Sequence, residues 1–198
     1  MRINHKLALV LALLFVLGRP LLADDTPGGR VRTFYENGKP KEEKSYVNGK
    51  LNGQYRSYYE NGGVNQEAYY ENGILNGAAR SFYPNGNIKL EIPYQHGKRE
   101  GLKNEYTESG RLVHQETYKA DLIEGNSLLI NPDTGRTQVQ TAYVHGKRNG
   151  WEVFFSPTGR PWIESQYKND KREGISRMYM PDGSISSTQT YHDDKPVG

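Results

Sequence analysis

Residues 53–77 read GQYRSYYENGGVNQEAYYENGILNG, and this segment contains one complete unit of a pattern that recurs along the chain. Two short runs rich in aromatic residues, 54–59 and 64–70, are each followed or closed by Glu-Asn-Gly. Asn and Gly tolerate the positive φ that tight hairpin turns require. Short aromatic runs between such turns are typical of β-strands. The segment therefore predicts a β-hairpin with turns at 61–62 and 72–73.

The glycine that begins this segment recurs along the chain at a spacing of 24 residues, with one spacing of 25 between Gly125 and Gly150. A first-turn glycine and a tyrosine recur at the same period. The three series are Gly29, Gly53, Gly77, Gly101, Gly125, Gly150, Gly174 and Gly198; Gly38, Gly62, Gly86, Gly110, Gly135, Gly159 and Gly183; and Tyr46, Tyr70, Tyr94, Tyr118, Tyr143, Tyr167 and Tyr191. A fixed period of this length predicts a repeat protein.

Seven such hairpins predict an all-β fold, an elongated single-layer antiparallel sheet of stacked repeats. With about 14 strands at roughly 4.8 Å each, the sheet would be on the order of 65 Å long. A lone hairpin is marginally stable in water. We therefore expect aromatic residues to pack on their equivalents in the next repeat, which is how repeat arrays gain stability. The repeats occupy residues 30–198, after a polar linker at 24–29.

An acidic residue stands three positions before the tyrosine in four of the repeats. These residues are Glu43, Glu67, Glu91 and Glu164. Neighbouring side chains of a strand alternate between the two faces of a sheet, so this column faces opposite to the residue next to it. We expect it to be solvated, because a buried column of like charges is unfavourable.

Residues 1–23 lie outside the repeats and have the features of a secretory signal peptide. A basic start with Arg2 and Lys6 precedes the apolar run LALVLALLFVL at 7–17, and Ala23 ends the segment. The run is shorter than the roughly 20 apolar residues of a membrane span. We expect an exported protein, periplasmic or extracellular. The alternative is that the leader is retained as a membrane anchor.

The basic excess of the chain belongs to this leader. The whole sequence has 26 Lys+Arg and 23 Asp+Glu residues. Cleavage removes Arg2, Lys6 and Arg19 but no acid, so the mature chain has 23 residues of each sign. A nucleic-acid-binding protein keeps a basic excess on its folded part. The charge balance therefore disfavours nucleic acid as a partner.

No residue pattern predicts catalysis or metal binding. The sequence has no Gly-x-Ser-x-Gly elbow, and it has no cysteine for a disulfide or a zinc site. His96 and His145 occupy equivalent turns two repeats apart, which would place them about 19 Å from each other, too far to share a metal. We expect no catalytic residue, no metal and no cofactor.

The repeat with 25 residues departs from the pattern at 128–135, where the sequence is LLINPDTG. This departure predicts either a longer turn with a bulge or a local change that shapes a binding surface. Both tryptophans of the chain follow it, and Trp is enriched at interface hot spots. The sequence therefore predicts that a partner binds at Trp151, Phe154, Phe155 and Trp162.

A lysine follows the second turn in five repeats. With Arg99, Arg148 and Arg172, these lysines would place basic side chains along one edge of the sheet. The edge would either discourage aggregation between sheets or contact anionic lipid head groups. The five lysines are Lys50, Lys98, Lys147, Lys171 and Lys195.

Several segments resemble the MORN repeat in its bacterial variant form. They are YYENG (58–62), FYPNG (82–86), NGKLNG (48–53), HGKREG (96–101), HGKRNG (145–150) and NDKREG (169–174). The resemblance implies single-layer sheets of successive hairpins and no catalytic residue. It also implies similarity to YwqK-family antitoxins, which neutralise a secreted toxin, and to immunity proteins. We expect a non-catalytic protein-binding module of this kind, with an envelope or membrane-peripheral scaffold as the alternative.

Overall fold

The computed structural model describes residues 28–198, which form one antiparallel sheet of 19 strands. This confirms the predicted all-β, single-layer architecture. The predicted signal peptide lies outside the described residues, and β1 begins at Gly28, within the segment predicted as a linker. Between residues 28 and 198 there is no helix long and apolar enough to cross a membrane.

Each strand pairs with the next long strand in chain order. Fourteen long strands form seven hairpins, as predicted, and five short strands of two or three residues lie after the second turns. The strands are β1 (Gly28–Phe34), β2 (Pro40–Val47), β3 (Lys50–Leu51), β4 (Gly53–Tyr58), β5 (Val64–Glu71), β6 (Ile74–Leu75), β7 (Gly77–Phe82), β8 (Ile88–Gln95), β9 (Lys98–Arg99), β10 (Gly101–Tyr106), β11 (Leu112–Lys119), β12 (Leu122–Ile123), β13 (Gly125–Ile130), β14 (Thr137–Val144), β15 (Lys147–Phe155), β16 (Pro161–Lys168), β17 (Lys171–Tyr179), β18 (Ile185–His192) and β19 (Lys195–Val197).

Seven repeats of the sequence correspond to these hairpins. Repeats one to seven are residues 29–52, 53–76, 77–100, 101–124, 125–149, 150–173 and 174–197. Cross-strand partners share a face of the sheet, and successive residues alternate. The two faces are named here after their columns: the tyrosine face carries Tyr46 and its equivalents, and the glutamate face carries Glu43 and its equivalents.

The two turns of each repeat use asparagine differently. In the second turn of repeat two, both Asn72 (φ 52°) and Gly73 (φ 84°) have positive φ, as predicted. In the first turn only Gly62 has positive φ. Asn61 instead accepts a hydrogen bond from the backbone N–H of Gly63 through its side-chain Oδ1, at 2.8 Å. Asparagine thus stabilises the first turn by its side chain and the second turn by its backbone.

The extra residue of repeat five is contained within its first turn. Gly135 N–H donates to the carbonyl of Asn131, four residues earlier, whereas Gly62 N–H donates to Tyr59, three residues earlier. Strands β13 and β14 keep the six and eight residues of their equivalents. The register shift between Leu129 and Ile130 has counterparts in the other hairpins, so the insertion lengthens the turn without adding a bulge.

The tyrosine series contains the most buried apolar side chains of the described sheet. Tyr70 and Tyr118 are only 6% and 7% exposed. The predicted direct stacking of successive tyrosines is wrong in three repeats, because an arginine lies over the ring of the next tyrosine. Arg99, Arg148 and Arg172 lie over Tyr118, Tyr167 and Tyr191, with 4.1, 4.0 and 4.0 Å between guanidinium carbon and ring centroid. Such cation–π contacts contribute roughly 0.5–1 kcal/mol each when exposed, and more when desolvated.

The same arginines bind the second turn of the next repeat. The backbone N–H of Arg99 donates to Asp121 Oδ1 at 2.9 Å, and its Nε lies 3.2 Å from that oxygen. The backbone hydrogen bond holds the pKa of Asp121 below its usual value, and the guanidinium adds to this effect. The equivalent backbone bonds join Arg148 to Asp170 and Arg172 to Asp194, both at 2.8 Å. These arginines connect repeats and do not extend a free basic edge, which corrects the sequence prediction.

The glutamate column is paired with arginines and is not solvated, contrary to expectation. Glu67, for example, pairs in register with Arg56 on one side and Arg80 on the other, with ion pairs of 3.6 and 3.2 Å. Glu43 is among the buried residues of the chain. The alternating set is called the arginine–glutamate ladder, and its members are Arg32, Glu43, Arg56, Glu67, Arg80 and Glu91.

Tyrosine hydroxyl groups add a further connection between the first four repeats. Each donates to a backbone carbonyl of the next repeat, 23 residues later in the chain. The bonds run from Tyr35 to Tyr58, from Tyr59 to Phe82 and from Tyr83 to Tyr106, at 2.6, 2.6 and 2.9 Å. They fix the spacing of the first turns along one margin of the sheet.

Candidate functional site

The four residues predicted to bind a partner lie on both faces of the sheet. Trp151 and Phe155 are four positions apart on β15 and so share the glutamate face, whereas Phe154 points to the tyrosine face. Trp162 is the bulged residue of β16 and is 54% exposed. A single flat partner surface cannot contact all four side chains. Binding at these residues stays a prediction, and Trp151 and Trp162 need separate alanine variants.

Trp151 is already engaged within the sheet. The guanidinium carbon of Arg177 lies 5.9 Å from its ring centroid. Arg177 also bonds Glu164 at 2.7 Å, and Tyr179 donates its hydroxyl proton to the same carboxylate oxygen at 2.6 Å. The Glu164 carboxylate raises the pKa of both Arg177 and Tyr179 by hydrogen bonding. This cluster gives Trp151 a packing role between repeats six and seven.

Phe154 belongs to a continuous apolar row on the tyrosine face of repeats five to seven. Cross-strand register joins each member to the next across five adjacent strands. Leu129 and Met178, at the two ends, are 45% and 42% exposed. Four strand spacings make the row about 19 Å long. The apolar row consists of Leu129, Val139, Phe154, Ile163 and Met178.

The row is confined to the later repeats. Equivalent positions in repeats one and two hold polar residues, namely Thr33, Glu42, Ser57 and Gln66. Next to the row, on the same face, lie small hydroxyl side chains, and Ser165 and Ser176 bond each other at 2.8 Å. The row is half-buried at Val139, Phe154 and Ile163 and exposed at its two ends, and a contiguous apolar strip with a polar border is typical of an interaction site. Only Phe154 of this row was predicted from the sequence, because recognising the row requires the strand register.

A second row runs along the glutamate face beside the second turns, and every member is exposed. It contains the five predicted lysines and adds Lys119 and Lys168. Four apolar side chains are interspersed in it: Val47, Ile74, Leu122 and Val144. Glu71 is its single acidic member. This row is called the lysine row after its seven lysines, which are Lys50, Lys98, Lys119, Lys147, Lys168, Lys171 and Lys195.

The glutamates that precede each new repeat do not neutralise this row directly. Each accepts a hydrogen bond from a backbone N–H in the second turn of the next repeat. These bonds run from Ala120 to Glu100, from His145 to Glu124 and from Asp193 to Glu173, at 2.7, 2.8 and 3.0 Å. Their carboxylates therefore serve the connection between repeats.

Among residues 28–198, no three His, Cys, Asp or Glu side chains converge as a metal site. The consecutive side chains of residues 192–194 are part of the connection to repeat six. His192 Nδ1 lies 3.0 Å from Glu173 Oε1. This hydrogen bond, together with the charges of Glu173 and Asp193, raises the pKa of His192 above its usual 6.5.

The Glu173–His192 contact predicts a pH dependence in the last turn. Because the folded-state pKa of His192 is raised, the stabilisation is complete below about pH 6.5 and is lost as pH rises through the folded-state pKa. We expect an NMR titration of the His192 ring to give a lower pKa in Glu173→Gln than in the wild type. An identical pKa in the two proteins would exclude Glu173 as the cause.

The comparisons with known proteins agree with the repeat geometry. Residues 27–48, 51–73 and 75–96 match the family model of the MORN repeat variant. Successive matches begin 24 residues apart, at 27, 51 and 75, in step with the hairpins of repeats one to three. The chain has no match among curated proteins. The first three repeats are therefore similar to the MORN repeat variant.

Proposed function

We propose that this protein is a non-catalytic, exported protein-binding module that neutralises a secreted toxin or effector, in the manner of YwqK-family antitoxins and immunity proteins. The apolar row carries this proposal. MORN repeats often serve as binding modules. The row gives this array an exposed apolar contact surface, and burial of apolar area drives most protein association.

Binding by occlusion requires a rigid surface, and the row has one. It crosses five strands held in register by backbone pairing. The side chains are thus pre-organised, which lowers the conformational entropy that association must overcome. The partner would need a complementary apolar ridge about 19 Å long. Leu129 and Met178, the most exposed members, would lose the most water on binding.

The proposal is tested by capturing a partner from the native organism with the purified protein and titrating the partner's toxic activity with this protein. We expect activity to fall to zero at a fixed stoichiometric ratio. A partner that binds tightly yet retains full activity at saturation would contradict neutralisation. Genes for a secreted lipase, nuclease or peptidase beside this gene would agree with it.

The lysine row favours a second candidate function, a membrane-peripheral scaffold of the cell envelope. Basic side chains near an anionic membrane contribute about 1 kcal/mol each. The exposed Val47, Ile74, Leu122 and Val144 could enter the interfacial region beside them. Protection against aggregation between sheets is an alternative role for the same lysines.

Vesicle sedimentation distinguishes the scaffold from the antitoxin. A scaffold should sediment with anionic vesicles, remain in solution with neutral ones, and be released by salt. Substituting Lys119, Lys147 and Lys168 by glutamine should then abolish sedimentation. Absence of binding to anionic vesicles at low salt would exclude the scaffold function while leaving neutralisation of a partner unaffected.

A further inference from the structure

The arginine–glutamate ladder presents opposite charges at different depths. Its arginine side chains are 50%, 38% and 36% exposed at Arg32, Arg56 and Arg80. Its glutamate side chains are 10%, 19% and 25% exposed at Glu43, Glu67 and Glu91. A molecule approaching this face therefore meets guanidinium groups first. The ladder is close to neutral in sum, but its outer surface is cationic.

Arg32 and Arg56 keep donors available for a ligand, whereas Arg80 contacts the neighbouring ladder glutamates through all three of its nitrogens. Arg32 bonds Glu43 through Nε at 2.8 Å, and Arg56 approaches Glu67 through Nη2 at 3.6 Å. Each guanidinium has five N–H donors in a planar fork that suits a carboxylate. Arg30, 58% exposed and also bonded to Glu43, adds a fourth cation at the start of the row. Exposed Phe34 and Tyr69 lie on the same face.

The spacing of the arginines selects among anions. Successive ladder arginines are two strands apart, which is about 10 Å. A carboxylate less exposed than the arginines stands between each pair, Glu43 in the first and Glu67 in the second. A nucleic-acid strand, with a phosphate at every nucleotide, would place some of its charges opposite these glutamates. A peptide in the extended polyproline II conformation advances about 3.1 Å per residue with three residues per turn, so acidic side chains at every third residue lie on one side, about 9 Å apart, and meet successive arginines.

We propose that the glutamate face of repeats one to three is a docking surface for an acidic, extended protein segment whose carboxylates are about 10 Å apart. This surface is separate from the apolar row, which lies on the other face and in later repeats. It adds a charge-specific contact to the proposed protein-binding function. Complementary charge of this kind chiefly sets specificity and association rate.

The test is fluorescence anisotropy with a labelled peptide that carries glutamate at every third position, compared with a peptide of equal charge whose glutamates are contiguous. The spaced peptide should bind more tightly, and its affinity should fall as salt rises. The variant R32Q/R56Q/R80Q should lose about tenfold in affinity. The matched control is R111Q/R136Q/R160Q, which removes the same charge from the first-turn margin, where these arginines bond backbone carbonyls of the next repeat.

Equal losses in the two triple variants would overturn the proposal, because net charge alone would then explain binding. Equal affinity for the two peptides, or equally tight ladder-dependent binding of single-stranded DNA, would also overturn it. If the ladder variant does not fold, Arg30→Gln is used, since Glu43 keeps Arg32 as its partner. It should weaken the spaced peptide about threefold, and unchanged affinity would contradict the docking site. The apolar row is intact in all these proteins, so failure here leaves the proposed function standing.

Discussion

Tyr118→Ala should lower the free energy of unfolding by about 3 kcal/mol, within the range for removing a buried aromatic side chain. Tyr118 is one of the two most buried apolar residues of the chain. Its ring supports Arg99 from the preceding repeat, and its hydroxyl donates to Glu116 at 2.8 Å. Alanine removes the buried ring and both contacts, of which the one with Arg99 crosses the junction of repeats three and four. Urea denaturation followed by circular dichroism measures the change.

Tyr118→Phe is the matched control, because it keeps the ring and removes only the hydroxyl. Glu116 retains Lys103 at 3.2 Å, so the loss should be about 1 kcal/mol. The same variant should eliminate one tyrosine ionisation at strongly alkaline pH, since burial and the Glu116 carboxylate raise the pKa of Tyr118. Equal destabilisation by alanine and phenylalanine would show that the hydroxyl, and not the ring, supports the junction.

Gly150→Ala should destabilise the protein by about 2 kcal/mol, in the range of a residue forced into a sparsely populated backbone region. Gly150 has φ of 115°, and an added Cβ would lie 3.0 Å from the Cβ of Ala142 on the neighbouring strand. Both the backbone strain and the contact oppose alanine. Thermal unfolding of the variant, compared with the wild type, measures the effect.

Gly29→Ala is the control from the same sequence series. Gly29 lies in β1 without a positive φ, and an added Cβ would have no atom within 4 Å. Its substitution should change stability by less than about 0.5 kcal/mol. Similar losses at Gly29 and Gly150 would mean that the series is required for a reason other than backbone geometry.

Gly29 and Gly150 show which structural features a sequence period predicts and which it cannot predict. The period of 24 residues places Gly29 and Gly150 in one series and correctly predicts hairpins, turn positions and the single sheet. The period cannot show that Gly150 lies within β15 at the irregularity in its pairing with β14. The backbone of the two glycines differs because, within the described sheet, Gly150 has a repeat on its N-terminal side, whereas Gly29 lies in the first strand.

The prediction that the glutamate column is solvated was wrong for a related reason. Alternation of side chains correctly places Glu67 opposite in direction to Ala68, but solvation depends on what lies across the strands. Arg56 pairs within the hairpin, and Arg80 pairs across the junction between repeats. An arginine recurs every 24 residues, at Arg32, Arg56 and Arg80. Aligning this column with the glutamate column, both within a hairpin and across the junction between repeats, could therefore have predicted the ladder. In repeat four the pair becomes Asn104 and Gln115, joined at 2.9 Å, and the ionic partners change together.

The candidate surfaces were harder to predict from the sequence because they depend on which residues pair across neighbouring strands. Tryptophan enrichment pointed to residues 151–162, but only cross-strand pairing shows that Phe154 faces away from Trp151 and continues an apolar row. The lysine column could be recognised in the sequence from its period, whereas the exposed apolar residues of the same row could be recognised only from the strand pairing. Sequence patterns thus predicted the fold well and located the surfaces only in part.

Calorimetric titration with the captured partner shows whether a partner protein docks on the apolar row, as we propose. The variant L129Q/M178Q should bind at least about tenfold more weakly than the wild type, because two apolar side chains buried by the partner are replaced by polar ones. The control I74Q/L122Q also replaces two exposed apolar side chains, but on the opposite face, and should bind with wild-type affinity. Unchanged affinity of a folded L129Q/M178Q protein, or a larger loss in the control, would contradict the claim.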